Sequence, residues 1–171
     1  GSIGKEIAKK AKAFGMNVIA TRRLQKKVES NKFVDQLIPT SDLKVLLKNS
    51  DYVVISCPLT PLTTNLISLK ELKLMKENAI IINIARGQII NQDDLIEALE
   101  NKIIHGAALD VFAKEPLEES SKLFDLDNVI ISPHISGNYP NYQKDMIDQF
   151  ADNLNRFVLG KALKNRVCKK R

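Results

Sequence analysis

The chain has 171 residues, 44% hydrophobic and 27% charged, the balance of a globular domain large enough to bury a core. No apolar run approaches the ~20 residues of a membrane span, there is no signal-peptide pattern, and two cysteines, Cys57 and Cys168, are too few for a disulfide framework; a reduced, cytoplasmic protein is expected. The net charge of +6 is uneven, with nine Lys/Arg against two acids in residues 1–32 and six against none in residues 161–171, but aromatics are only 5% and no nucleic-acid motif accompanies the basic clusters, so these read as solvated helix faces and a loose basic tail.

Gly1 to Gly4 lead straight into a helical pattern in which Ile3, Ile7, Ala11 and Phe14 recur on one face beside Ala8, with Gly15 as C-cap. Residues 17–21 read as a short strand. A glycine turn opening a helix, then a strand, is the second part of a dinucleotide-binding βαβ unit. In the G-x-G-x-x-G fingerprint, Gly1 and Gly4 would be the second and third glycines, so the first glycine and its strand are expected upstream of residue 1. After the second strand that fingerprint expects an acid for the ribose 2′-hydroxyl; Arg22 stands there, followed by Arg23. Paired guanidiniums suit a 2′-phosphate, which favours NADP(H) over NAD(H).

Thr40 or Ser41 should cap a short helix carrying Leu43, Leu46 and Leu47. Residues 52–56 read as a buried strand, ending in a rigid loop from Cys57 and Pro58 to Pro61. Ser68 with Glu71 matches a capping box opening a helix through Met75. Next comes the stretch around which the chain is organised, AIIINIARG at 79–87. Its unbroken aliphatic run reads as a strand buried on both faces. Arg86 then sits at the C-terminal end of a parallel strand, where open α/β sheets bind ligands. Asn91 with Asp94 starts another helix, and residues 105–111 and 128–132 are further strands. From Pro140, near the first helical position, to Leu159, Met146, Ile147, Phe150, Leu154, Phe157 and Val158 form the apolar stripe of a long helix, expected to be core or interdomain packing. The alternation implies an α/β fold with a doubly wound, Rossmann-like parallel sheet. Glu115 and His134 lie beyond two further strand ends, on the same edge as Arg86 and the glycine turn.

Taken together, GSIGKEIA at 1–8, CPLTPLTTNLI at 57–67, NIARG at 83–87, LDVFAKEPL at 109–117 and SPHISG at 132–137 resemble the D-isomer-specific 2-hydroxyacid dehydrogenases, which include phosphoglycerate dehydrogenases and glyoxylate/hydroxypyruvate reductases. The resemblance is to the family's C-terminal half, so the first strand of the sheet and the N-terminal substrate domain are expected to lie outside these residues. Residues 1–137 would form the dinucleotide-binding domain, and residues 138–171 a long crossover helix and basic tail returning to the substrate domain. Ser56 departs from the family, where His often precedes the Cys-Pro.

The resemblance implies a hydride transfer between a nicotinamide cofactor and a small 2-hydroxy or 2-keto acid. Arg86 would hold the substrate carboxylate and carbonyl. His134 would give a proton to the carbonyl oxygen and remove it in reverse. Glu115 would hold the imidazole, fix its tautomer and favour its protonated form. Ser2 and Ile3, between Gly1 and Gly4, would cap the pyrophosphate at the helix N-terminus. Cys57 and Pro58 would line the adenosine side and Asp110 would meet the nicotinamide amide. Ile84, Ala85, Arg86, His134 and Gly137 complete the cofactor set. No His/Cys set has zinc-ligand spacing. A homodimer without membrane or nucleic-acid partners is expected. The competing reading is a corepressor-like, nucleotide-sensing interaction module, since relatives of this scaffold serve partner binding. Without the other half, residues 1–171 are expected to be inactive alone.

Overall fold

The structure, a computed structural model, describes residues 1–23 and 25–166. Cys168 and the end of the basic tail lie outside the described residues. The chain divides into two compact units, Gly1–Ser136 and Gly137–Arg171.

The first unit opens with α1 (Ser2–Ala13). Gly15, at φ 75°, closes it: the Gly15 N–H donates to the Lys12 carbonyl at 3.0 Å and the Met16 N–H to the Ala11 carbonyl at 3.1 Å, a Schellman motif. Three strands follow: β1 (Ile19–Thr21), β2 (Glu29–Asn31) and β3 (Val34–Ile38). β3 runs parallel to β1 and antiparallel to β2. The β2–β3 hairpin was not expected, because Glu29, Ser30 and Asn31 are polar and β3 does not alternate strictly. Partners that sequence order does not reveal hold it, including β1, which pairs Ile19 with Gln36 and Thr21 with Ile38.

Beyond the hairpin lie α2 (Leu43–Asn49), β4 (Tyr52–Ile55), α3 (Leu69–Leu72), β5 (Ile80–Asn83), α4 (Gln92–Glu100), β6 (Gly106–Leu109) and β7 (Val129–Ile131). β4 to β7 form a four-stranded, all-parallel sheet in the order β4-β5-β6-β7. Its core includes Leu47, Ile81, Leu95, Leu99 and Ile104, all at 2% exposure or less. The Ser68–Glu71 capping box forms as expected, but the helix it opens ends at Leu72 and not at Met75; Asn91 caps α4 through the Asp94 N–H at 3.2 Å. The cap of α2 does not: a 3-10 turn over Thr40–Asp42 precedes it and no side chain caps the helix.

Several expectations of burial are corrected. In β5, Ile81 and Asn83 are buried but Ile80 and Ile82 only partly, so one face is dry and the other is not. β4 starts with an exposed Tyr52. On α1 only Ala8 is buried, while Ile3 and Phe14 are exposed. The physical reason lies in the sheets. β1 and β4 belong to different sheets and share no ladder, so among the described residues no strand pairs between them to carry the apolar face of α1.

The second unit is built on α5 (Tyr142–Val158). Pro140 lies before the N-cap Asn141, outside the first helical turn. Met146, Ile147, Phe150, Leu154, Phe157 and Val158 are exposed, not core. Among the described residues after α5, several are held in place. Gly160 takes φ 65°; Lys164 exchanges two hydrogen bonds with Asn153, at 3.2 and 2.9 Å, and pairs with Asp152 at 3.0 Å. Among the described residues no helix is long and apolar enough to cross a membrane, and no three His, Cys, Asp or Glu side chains gather as a metal site.

Candidate active site

The register of the four-stranded sheet aligns Ile55, Asn83, Leu109 and Ile131 across β4 to β7. Each strand of a parallel sheet ends at the same edge, so Ser56, Arg86, Asp110 and Ser132–His134 emerge together there. The first turn of α1 lies against the same edge, since a side chain at Gly4 would come within 3.0 Å of the Ser56 hydroxyl.

At the end of β5 the turn is shaped by Asn83, which is 1% exposed. Its Oδ1 accepts the Ala85 N–H at 3.0 Å and its Nδ2 donates to the Arg86 carbonyl at 3.0 Å. A buried amide left unpaired would cost about 1–3 kcal/mol, so this pairing holds the backbone in a turn that carries Arg86 outward. Ala85 is buried, Ile84 partly so, and the Arg86 side chain is exposed. Gly87 allows the next strand exit to lie directly on this turn: a Cβ there would stand 1.8 Å from the Phe112 carbonyl carbon.

Glu115 sits in the loop after β6. Gln92 accepts the Ala113 N–H at 3.0 Å and Gln88 donates to the Ala113 carbonyl at 2.8 Å, clamping that loop onto the segment after Arg86. Glu115 Oε1 accepts the Phe112 N–H at 3.0 Å, and Oε2 lies 2.8 Å from His134 Nδ1. Those two contacts, helped by the charge of Arg86, hold the Glu115 carboxyl below the usual carboxylate range. His134 adopts φ 54°, a left-handed conformation that costs a non-glycine residue about 1–2 kcal/mol. It is stabilised from below by Asp110, whose carbonyl accepts the His134 N–H at 2.8 Å.

Thus Arg86, Asp110, Glu115 and His134 come together at adjoining strand ends. Gly1, Ser2, Ile3 and Gly4 lie at the start of α1, whose first turn has no acidic residue and no side-chain cap. Cys57 and Pro58 follow β4; the Cys57 thiol is pushed up by burial. Arg22 and Arg23 lie after β1, in the other sheet, with the Arg22 Nε donating to Gln25 Oε1 at 3.0 Å. Gly137 begins the second unit. Asn83, Gln88, Gln92 and Ser132 are additional residues that shape the site. Asn83 left a trace in the sequence as the polar residue closing an aliphatic strand, and Ser132 as the first residue of the SPHISG stretch; Gln88 and Gln92 left none.

Comparison with known proteins agrees with this geometry. Residues 1–136 match the family model described as D-isomer specific 2-hydroxyacid dehydrogenase, NAD binding domain. A glyoxylate reductase of Thermococcus litoralis is 40% identical over 169 residues, covering 99% of this chain and 50% of that protein. A probable 2-hydroxyacid dehydrogenase from Rhizobium etli, solved with NADP, HEPES and L(+)-tartaric acid, superimposes with a TM-score of 0.87 at 28% identity, over 98% of this chain and 53% of that one. An NADPH-dependent glyoxylate/hydroxypyruvate reductase from Sinorhizobium meliloti, in complex with NADP and sulfate, gives 0.85 at 27% identity, over 98% and 52%. The chain spans about half the length of the curated relatives it matches. With the strand-end constellation and a family match over residues 1–136 in agreement, the chain belongs to the D-isomer specific 2-hydroxyacid dehydrogenases, whose NAD binding domain it contains.

Proposed function

We propose that this chain supplies the cofactor side and the proton-transfer groups of an oxidoreductase that interconverts small 2-hydroxy and 2-keto acids. The observation that carries the reading is the Glu115–His134 contact of 2.8 Å, one strand end away from Arg86. A bound nicotinamide would supply or accept the hydride. With Nδ1–H donated to Glu115, the other imidazole nitrogen is left to exchange a proton with the substrate oxygen. Arg86 offers a planar fork to the substrate carboxylate and so fixes the reacting carbon. This relay supports the enzyme reading over the nucleotide-sensing module, because proton exchange at a substrate oxygen is a step of that chemistry.

The residues fit a dinucleotide. The backbone N–H groups in the first turn of α1 suit a pyrophosphate, since no acid or capping side chain competes for them; Ser2, Ile3 and Gly4 would hold it, with Gly1 leading in. Cys57 and Pro58 would line the adenosine side, with Ile84, Ala85 and Gly137 along the remainder. Arg22 and Arg23 would take the 2′-phosphate of NADP(H). Arg22 is oriented through its Nε by Gln25, which leaves the outer guanidinium nitrogens for a phosphate. Residues 138–171 would return to a substrate-facing half, and the protein would pair with a second copy as a homodimer.

Fluorescence titration of residues 1–171 with NADPH and NADH tests the cofactor reading. NADPH should bind more tightly, and Arg22→Ala should weaken it by about 10- to 100-fold; tighter NADH binding untouched by the substitution refutes it. For the chemistry, residues 1–171 would replace the matching half of the Thermococcus litoralis glyoxylate reductase. His134→Ala should then lower turnover of 2-keto acids far more than cofactor affinity, and Arg86→Ala should lower both turnover and substrate affinity. Wild-type rates in both variants would remove the assignment.

A further inference from the structure

Asp110, expected as a cofactor contact, has surroundings that give it a further role. It is 4% exposed, and its carboxylate is directed into the loop that carries His134. Oδ1 accepts the Ser132 hydroxyl at 2.6 Å and the Ile135 N–H at 2.8 Å. Oδ2 accepts the Ser136 N–H at 3.0 Å. The Asp110 carbonyl accepts the His134 N–H at 2.8 Å. These bonds grip the loop on both sides of His134, and no other loop shares them. On the opposite side the Asp110 N–H donates to the Asn83 carbonyl at 3.0 Å, and Asn83 shapes the Arg86 turn. One buried residue therefore couples the turn that presents Arg86 to the loop that presents His134.

We infer that Asp110 is the positioning residue for His134: it holds the 132–136 loop so that the imidazole meets Glu115 through Nδ1 and keeps a single tautomer. The inference rests on the proposed function only for the use to which His134 is put. An ionised carboxylate is an acceptor at every lone pair and so matches three donors converging from one loop. An amide in its place presents an NH₂ to at least one of those donors and opens the loop. Coupling through the Asn83 carbonyl is backbone-to-backbone and survives such a substitution, so the effect is confined to the His134 side.

The test uses isotopically labelled residues 1–171 at a pH where the imidazoles are neutral, with long-range nitrogen–proton correlations reading the tautomer of each ring. The chain has two histidines, and His105, immediately before β6, serves as internal control. In the wild type His134 should show one tautomer, protonated at Nδ1. In Asp110→Asn it should show a mixture, with amide exchange at Ile135 and Ser136 at least tenfold faster, while His105 and the Ile81 amide are unchanged. A single tautomer and unchanged exchange in Asp110→Asn would overturn the inference. Should that variant not fold, Ser132→Ala, which removes one bond of the set, decides: a loosened loop with a mixed His134 tautomer supports the inference, and wild-type behaviour overturns it. Neither readout depends on turnover or cofactor binding, so a failed catalytic assignment leaves this result separately legible.

Discussion

Asn83 and Asp110 are buried polar residues on neighbouring strand ends, and each is stabilised because its hydrogen bonds are satisfied locally. For Asp110, burial pushes the carboxyl up, but the hydrogen bonds from Ser132, Ser136 and the Ile135 amide outweigh it and hold the pKa at about 2 against an ordinary 3.8. A depressed folded-state pKa means that the ionised form stabilises the fold above pH 3.8 and that this contribution is lost as the pH falls towards 2. The difference corresponds to about 2 kcal/mol. Urea unfolding of wild type and Asp110→Asn should therefore show a stability gap that narrows by about 2 kcal/mol between pH 5 and pH 2; a constant gap would contradict the pairing. Gly87 is constrained by space instead of charge. Gly87→Ala would push a methyl into the Phe112 carbonyl, and overpacking of this kind costs about 1–3 kcal/mol. Thermal unfolding should show Tm lowered by about 4–8 °C for a loss of 2 kcal/mol in a chain of this size.

Among the elements, β5 has a ladder on each side, whereas β1 and β4 are each paired on one side only. Hydrogen exchange should accordingly be slow along Ile80–Asn83, and the outward-facing amides of β1 and β4 should exchange faster by orders of magnitude. Equal protection in all three strands would show that a further strand, from this chain or a second copy, closes the gap. The long helices were legible from their patterns: Gly15 and Gly160 mark the C-termini of α1 and α5 because only a residue free to adopt positive φ ends a helix this way without strain. The 29–38 hairpin was not legible, since β2 is polar, β3 does not alternate strictly, and β3 is stabilised by pairing with β1. Helical periodicity likewise located the apolar faces of α1 and α5 without showing whether anything covers them.

At the scale of the whole molecule, the Glu115–His134 pair of the candidate site is open to solvent. The His134 and Glu115 side chains are 47% and 37% exposed, and the chain spans about half the length of its relatives. An exposed acid–base pair neither excludes water nor holds a substrate in a reactive geometry. Residues 1–171 assayed alone with glyoxylate, hydroxypyruvate and either reduced cofactor should give no turnover above background. A rate of ~1 per second or more, typical of an enzyme, would show that this half of the cleft suffices.

The sequence by itself determined the parallel α/β alternation, the C-termini of α1 and α5 and the placement of Arg86, Glu115 and His134 beyond strand ends, because periodicity, caps and glycines act over a few residues; the strand read over 105–111 ends at Leu109 and so leaves Asp110 beyond it as well. It also carried the family, through five short motifs in order. Tertiary structure alone decided what those residues touch. Glu115 meets His134 across 19 positions, Asp110 bonds Ser136 across 26, and the ladder breaks between β1 and β4. Each of these depends on which strands become neighbours and in which register, and no local pattern encodes a neighbour that lies far along the chain.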